Sequence, residues 1–254
     1  MSDTSLRARS VTEIIDAAFT LYQRDFLQYI MVGTITNAPM IVLTLLVQSI
    51  TGQGQTITTV IVAIIGLLAA TFVAAVVARM GATVYLGGRA DAGATLAAAA
   101  PRLPTLLLTT LLTSLMLGVS FIFLIIPGLY LTARLFAAPE AVVLEQQSAT
   151  NAIRRSFALT KGRVGHVFLT LLLLYALYFG LTGGVLMAIG LSASPVLQTV
   201  ASAVIGIFCY PILGLVRLVL YYDLRIRAEG FDVEHMAQSM GGSPELATSG
   251  SVAL

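Results

Sequence analysis

The chain has 254 residues, 57% hydrophobic and only 10% charged, with a mean hydropathy of +0.93. A soluble domain carries roughly 25% charged residues, so this composition excludes a water-covered globule. The net charge of +2 is too small to point to nucleic acid, and a single cysteine, Cys209, excludes an internal disulfide or a cysteine-built metal site.

Residues 1–9 are polar and are expected to be disordered. The first 25 residues hold seven charges and are followed by an apolar run too long for a signal-peptide core, so that run is expected to stay in the membrane. Ser10 and Glu13 fit a capping box, in which the serine caps free N–H groups and the glutamate reaches back. Val11, Ile14, Ile15, Ala18 and Tyr22 then recur at helical spacing, which predicts an amphipathic helix lying on the membrane surface.

A first span is predicted at about 26–50, with Pro39 as a kink, and a second at about 56–77. The loop 51–55 between them is uncharged. Ala69, Ala70, Ala74, Ala75 and Ala78 of the second span suit close helix packing. Asp91 or Thr95 is a candidate cap for a second surface helix. Spans follow at about 105–126 and 129–143, separated by a turn at Pro127 and Gly128. Ser148 is placed to cap a third amphipathic segment, with Ala149, Ala152, Ile153, Ser156 and Phe157 on one side and Gly162 at its end. The last spans are at about 164–191 and 197–221, joined by an uncharged linker at 192–195. Gly180 and Gly184 make a small-xxx-small match in the fifth span. The segment after Tyr221 turns polar, and residues 236–254 are expected to be disordered.

The expected fold is therefore all-α: a polytopic bundle of about six transmembrane helices with three cytoplasmic-side amphipathic surface helices, forming one membrane domain over 10–235. One plan, a surface helix followed by a two-span hairpin, occurs three times. The fourteen basic residues cluster before span one, between spans two and three, between spans four and five, and at or after the end of span six, with Arg134 alone inside a span. The alternate loops carry none, so the positive-inside rule places both termini in the cytoplasm.

Arg134 and Glu140 are the intramembrane charges. An arginine at the centre of a span costs about 2.5–3.5 kcal/mol on insertion scales, so it is expected to find a partner, a water cavity or the headgroups. Glu140 lies six positions further on, too far round the helix for a direct pair, and Arg217 or a tyrosine of another span is its expected donor. Glu145 is expected at the cytoplasmic boundary, and Asp223 beside Arg225, Arg227 or a basic loop. Arg154, Arg155, Lys161 and Arg163 are candidate contacts for anionic lipid heads, each worth about 1 kcal/mol, and topology alone also accounts for them. His166 and His235 have no ligand spacing around them, and there is no HExxH, GxSxG or P-loop motif. No catalytic residue, metal site or cofactor is assigned.

The run IIPGLYLTARLFAAPEAVVLE followed by ATNAIRRSFALTKGRVGHVF has a PG turn, an arginine-containing span, a P-x-x-x-x-E exit and an A-x-x-R-S-x-x-L-T-K/R-G loop. With VTEIIDAAFTLYQRDF before it and YYDLRIRAEGFDVE after it, the chain resembles, over most of 10–235, the glycerophosphoryl diester phosphodiesterase membrane-domain-like family of bacterial six-span proteins. The resemblance implies the plasma (inner) membrane of a bacterium. It implies no phosphodiesterase activity, since the membrane part fills the chain. Arg134, Glu140, Glu145, Arg155, Gly162 and Asp223 match the pattern without a role attached.

Two functions are compatible with these features, the first as the leading reading and the second as its alternative. One is a non-enzymatic scaffold or accessory protein that engages another membrane protein or anionic lipid at the cytoplasmic face. The other is a small transporter or permease using the region of Arg134 and Glu140. A water-accessible cavity lined by either residue favours transport, and a packed bundle with both residues paired favours the accessory protein.

Overall fold

The computed structural model describes residues 7–51, 56–89, 91–190 and 195–230. Most of the loop 51–55, most of the linker 192–195 and the whole of the tail 236–254 lie outside the described residues, as do 1–6. Every element described is helical. In chain order they are α1 (Val11–Arg24), α2 (Phe26–Thr51), α3 (Thr56–Tyr85), α4 (Ala92–Ala99), a 3-10 turn (Ala100–Arg102), α5 (Leu103–Phe123), α6 (Ile125–Leu135), α7 (Ala138–Leu144), α8 (Ala149–Leu159), α9 (Val164–Ile189) and α10 (Pro195–Glu229).

Among the described residues, four stretches are long and apolar enough to cross a membrane: Phe26–Val47, Ala92–Phe123, Val164–Ile189 and Val196–Glu229. A shorter apolar run, Ala70–Tyr85, lies in α3.

The caps bear out much of the local reading. The Ser10 hydroxyl accepts from the Glu13 N–H at 3.4 Å, and the Glu13 carboxylate accepts from the Ser10 N–H at 2.8 Å, completing the capping box of α1. Of the two candidate caps for α4, Asp91 does the capping, with Oδ1 accepting from the Ala94 N–H at 3.0 Å. Ser148 occupies the N-cap of α8 without a side-chain bond. Gly162 takes φ +74° in the turn after α8, a conformation that disfavours any residue with a Cβ.

Four features depart from the reading. Residues 7–9, expected to be disordered, are held: the Arg9 N–H donates to Asp223 at 2.6 Å, and Arg227 donates to the Arg9 carbonyl at 2.7 Å. The chain turns at Leu124, whose backbone is extended, and not at Pro127 and Gly128. Both of those residues lie in the first turn of α6, where proline is tolerated because the N–H groups have no helical acceptor. The fourth span, read as one helix over 129–143, is two short helices, α6 and α7, interrupted at Phe136 and Ala137. Finally, α10 does not stop near Tyr221 but runs to Glu229, because the polar residues of its last turns all find partners.

The hairpin of α5 with α6 and α7 still returns over its full length. Arg102, just before α5, donates to the Gln146 side chain, just after α7, at 2.5 Å.

The core surrounds the second half of α10. Leu215, Leu218, Leu220 and Leu224 are fully buried, and α1, α2, α3 and α9 pack around them. The apolar face of α1, comprising Ile14, Ala18, Leu21 and Tyr22, is buried along α10. Ala75 and Ala78 of α3 are buried as the alanine pattern predicts. Helix α2 meets α10 at Gly33, where a Cβ would lie 2.7 Å from the Ile207 carbonyl oxygen. That carbonyl has lost its helical donor to Pro211, four residues on. The match at Gly180 and Gly184 is no such contact, since nothing lies within 4 Å of a Cβ built at either.

Packing is lopsided along the bundle. The α1 and α8 end is closely filled, whereas Ile122, Phe123, Ile126 and Met187 at the other end are 78–83% exposed. Such a surface of bare apolar side chains suits lipid better than water.

Candidate functional site

The interruption between α6 and α7 has a simple cause. Pro139 sits in the first turn of α7, and in a continuous helix its ring would clash with the Leu135 carbonyl and leave it without a donor. Backbone groups freed in an apolar setting must be paired elsewhere. The Arg217 Nη2 of α10 donates to the Phe136 carbonyl at 2.6 Å. The Ala137 N–H donates to the Ser156 hydroxyl at 3.1 Å, and that hydroxyl donates to the Arg134 carbonyl at 2.6 Å. Thus α8 and α10 supply side chains that stitch the break.

Arg217 does a second task. Its Nε lies 2.6 Å from Glu140 Oε1 and its Nη2 3.1 Å from Oε2, a two-pronged ion pair. Glu140 is only 4% exposed. The guanidinium also lies 5.7 Å from the centre of the Phe136 ring. The sequence reading foresaw Arg217 as a donor to Glu140, yet also grouped it with the basic residues that mark the cytoplasmic end. Its pairing with Glu140 makes it a residue of the bundle interior.

Arg134 is not part of this pair. Its Nη1 donates to the Thr160 hydroxyl at 3.0 Å, and its guanidinium sits 4.7 Å from the Phe157 ring and 6.0 Å from that of Tyr130. The region treated in the sequence as one site is therefore two: Arg134 faces α8, and Glu140 faces α10.

Beside Glu140 and Arg217 lies a cavity of about 480 Å³, walled by α3, α5, α7, α9 and α10. Its polar wall includes Thr110, Thr113, Tyr178 and Tyr210 together with the ion pair. The Tyr178 hydroxyl lies 3.5 Å from that of Tyr210. The Thr113 hydroxyl donates back to the Thr109 carbonyl at 2.8 Å, and the buried Thr110 hydroxyl has no partner. Alanines of α3 line the opposite wall, so the small residues that permit close packing also leave this space.

A separate charge cluster closes the α8 end of the bundle. Arg155 donates to both oxygens of Glu145 at 2.7 and 2.8 Å and also pairs with Glu229. The Glu229 carboxylate and then Glu145 push the Arg155 guanidinium above its usual value, against the effect of burial. The Tyr221 hydroxyl donates to Glu145 at 2.5 Å. Asp223 gathers three elements: the Arg9 backbone, the His166 ring at 3.1 Å and Arg227 at 2.8 Å. Of the four basic residues proposed for lipid heads, Arg154 and Lys161 are exposed, Arg155 is engaged as described, and Arg163 donates to the Arg227 carbonyl at 2.5 Å. No three His, Cys, Asp or Glu side chains among the described residues converge as a metal site would require.

Sequence reasoning missed Ser156 as the clamp of the break and the hydroxyl wall of the cavity. Neither leaves a linear signal, because both depend on which helices become neighbours. No family model, curated protein or solved structure matches the chain.

Proposed function

We propose that this is a six-crossing protein of the bacterial plasma membrane, with both termini cytoplasmic, that takes a small solute into the cavity beneath the break and acts as a permease. The observation that carries this reading is the position of Glu140 and Arg217 on the wall of a cavity of about 480 Å³. Small-molecule sites typically enclose about 300–1,000 Å³ with a few placed polar groups on apolar walls. Discontinuous helices near the middle of a bundle are where transporters commonly place their sites. Six crossings are reached by counting α2, α3, α5, α6 with α7, α9 and α10. The orientation rests on the distribution of basic residues. Kinship with the glycerophosphoryl diester phosphodiesterase membrane-domain-like family belongs to the same proposal and rests on the quoted motifs.

A second reading keeps the accessory role, in which a partner protein or anionic lipid docks at the cytoplasmic face. The exposure of Arg154 and Lys161 supports it. It ranks second because Arg155 and Arg163 are used inside the chain, and two residues at about 1 kcal/mol each hold a lipid head weakly.

Cysteine labelling tests solute access. In a Cys209→Ser background, Ala74→Cys and Thr113→Cys are expected to react with a membrane-impermeant thiol reagent. Leu115→Cys, on a lipid-facing side chain that is 63% exposed, is expected to stay unlabelled. Silence at both cavity positions in folded protein overturns the permease reading.

A further inference from the structure

We infer that the cavity takes a neutral, hydroxyl-rich solute, a polyol or sugar-like molecule; the inference rests on the reading of the cavity as a solute site. Its first support is charge. Glu140 and Arg217 are the charged side chains of the described wall, and each neutralises the other through two contacts, at 2.6 and 3.1 Å. Both carboxylate oxygens are occupied, and one guanidinium nitrogen is also bound to the Phe136 carbonyl. A solute with net charge would bring an unpaired charge into a low-dielectric space or would have to break this pair, and both are costly.

The second support is the kind of polar group offered. The remaining polar wall is made of hydroxyls. Thr113 spends its proton on the Thr109 carbonyl and presents only lone pairs. With Tyr178 donating to Tyr210, the Tyr210 proton is left to donate. The Thr110 hydroxyl, on a residue 7% exposed, has no protein partner and can give or accept. A wall that both donates and accepts at neighbouring points matches a ligand whose own groups do both, as alcohol hydroxyls do.

The third support is the aromatic surface. Tyr178 and Phe179 meet edge to face at 5.3 Å, Tyr175 and Phe179 stack at 6.3 Å, and all three line the cavity. Ring faces pack well against the C–H side of a polyol, so one molecule meets both kinds of wall.

Uptake into liposomes containing the full chain tests the inference, with three probes built on a six-carbon polyol chain that differ in charge: sorbitol, gluconate and N-methylglucamine. Sorbitol is expected to enter faster than either charged probe by about tenfold or more. Thr110→Val and Tyr210→Phe, which remove one hydroxyl each, are each expected to slow sorbitol by about two- to tenfold. Their folding is checked by thermal melting in detergent. Preference for gluconate or N-methylglucamine overturns the neutral-solute inference and leaves the solute site standing. Uptake of none of the three, with the cavity cysteines labelled, also overturns the inference alone. Uptake of none with those cysteines unlabelled overturns the permease reading as well.

Discussion

Glu140 and Arg217 stand 77 positions apart in the chain, and each would be costly alone in the bundle interior. Arg217→Ala leaves Glu140 as a buried unpaired carboxylate and strips the Phe136 carbonyl of its donor. Unfolding in detergent is expected to show a loss of about 3–5 kcal/mol. Glu140→Gln with Arg217→Met removes both charges and is expected to cost clearly less; equal losses would refute the pairing as the source. Glu13 shows the opposite setting, at an exposed helix start. The Ser10 N–H above all, then Arg7 and the Ser10 hydroxyl, hold its carboxyl at about 2, below an ordinary 4.5. A folded-state value lowered in this way adds stability that is complete above pH 4.5 and fades as pH falls towards 2. Protection of the amides in the first turn of α1, measured relative to their intrinsic exchange rates, should therefore fall over that window, and Glu13→Gln should abolish that fall.

At the scale of the element, the break between α6 and α7 is the feature to explain. Pro139 imposes the break, but the break is tolerable only because Ser156 bridges it. Ser156 is fully buried, accepts from Ala137 and donates to Arg134. Ser156→Ala orphans both backbone groups at once and is expected to cost about 1–3 kcal/mol for each group left unpaired. Ser156→Thr keeps the hydroxyl and should recover part of the loss in the same detergent melt. If Ser156→Ala melts like the native chain, water serves the break instead of α8. The interruption itself was not legible in the sequence, because FAAPE reads equally well as a helix that merely kinks at proline. What decides between a kink and a break is the set of neighbours that can pair the freed groups.

For the whole molecule, orientation is the property most directly open to test. A reporter fused after Gln55 is expected outside the cell and one after Lys161 inside, and the reverse pattern would sink the topology. Moving Arg217 from the topological residues to the interior does not alter this expectation, since Arg225 and Arg227 remain beyond it. The lopsided packing has the same direction. The basic end of the bundle is tied by Arg155, Asp223 and their partners, while the far end presents apolar side chains.

Composition and short-range pattern were enough for the helical class, the long apolar stretches, the capping box at Ser10 and the likeness of alanine-rich α3 to a packing surface, and they narrowed the cap of α4 to Asp91 or Thr95. Those features depend on composition and on residues within a turn of each other, which is the range over which periodicity and capping operate. Tertiary structure decided that Arg134 turns to Thr160 and Phe157, and that Arg217, not a tyrosine, is the partner of Glu140. It also decided that Asp223 joins the N-terminal segment to His166, and that six hydroxyl-bearing residues line one cavity. A one-dimensional pattern shows which face of a helix is polar. Which other helix meets that face depends on the packing of the entire bundle, because without water to pair with, every polar group inside must find its partner there.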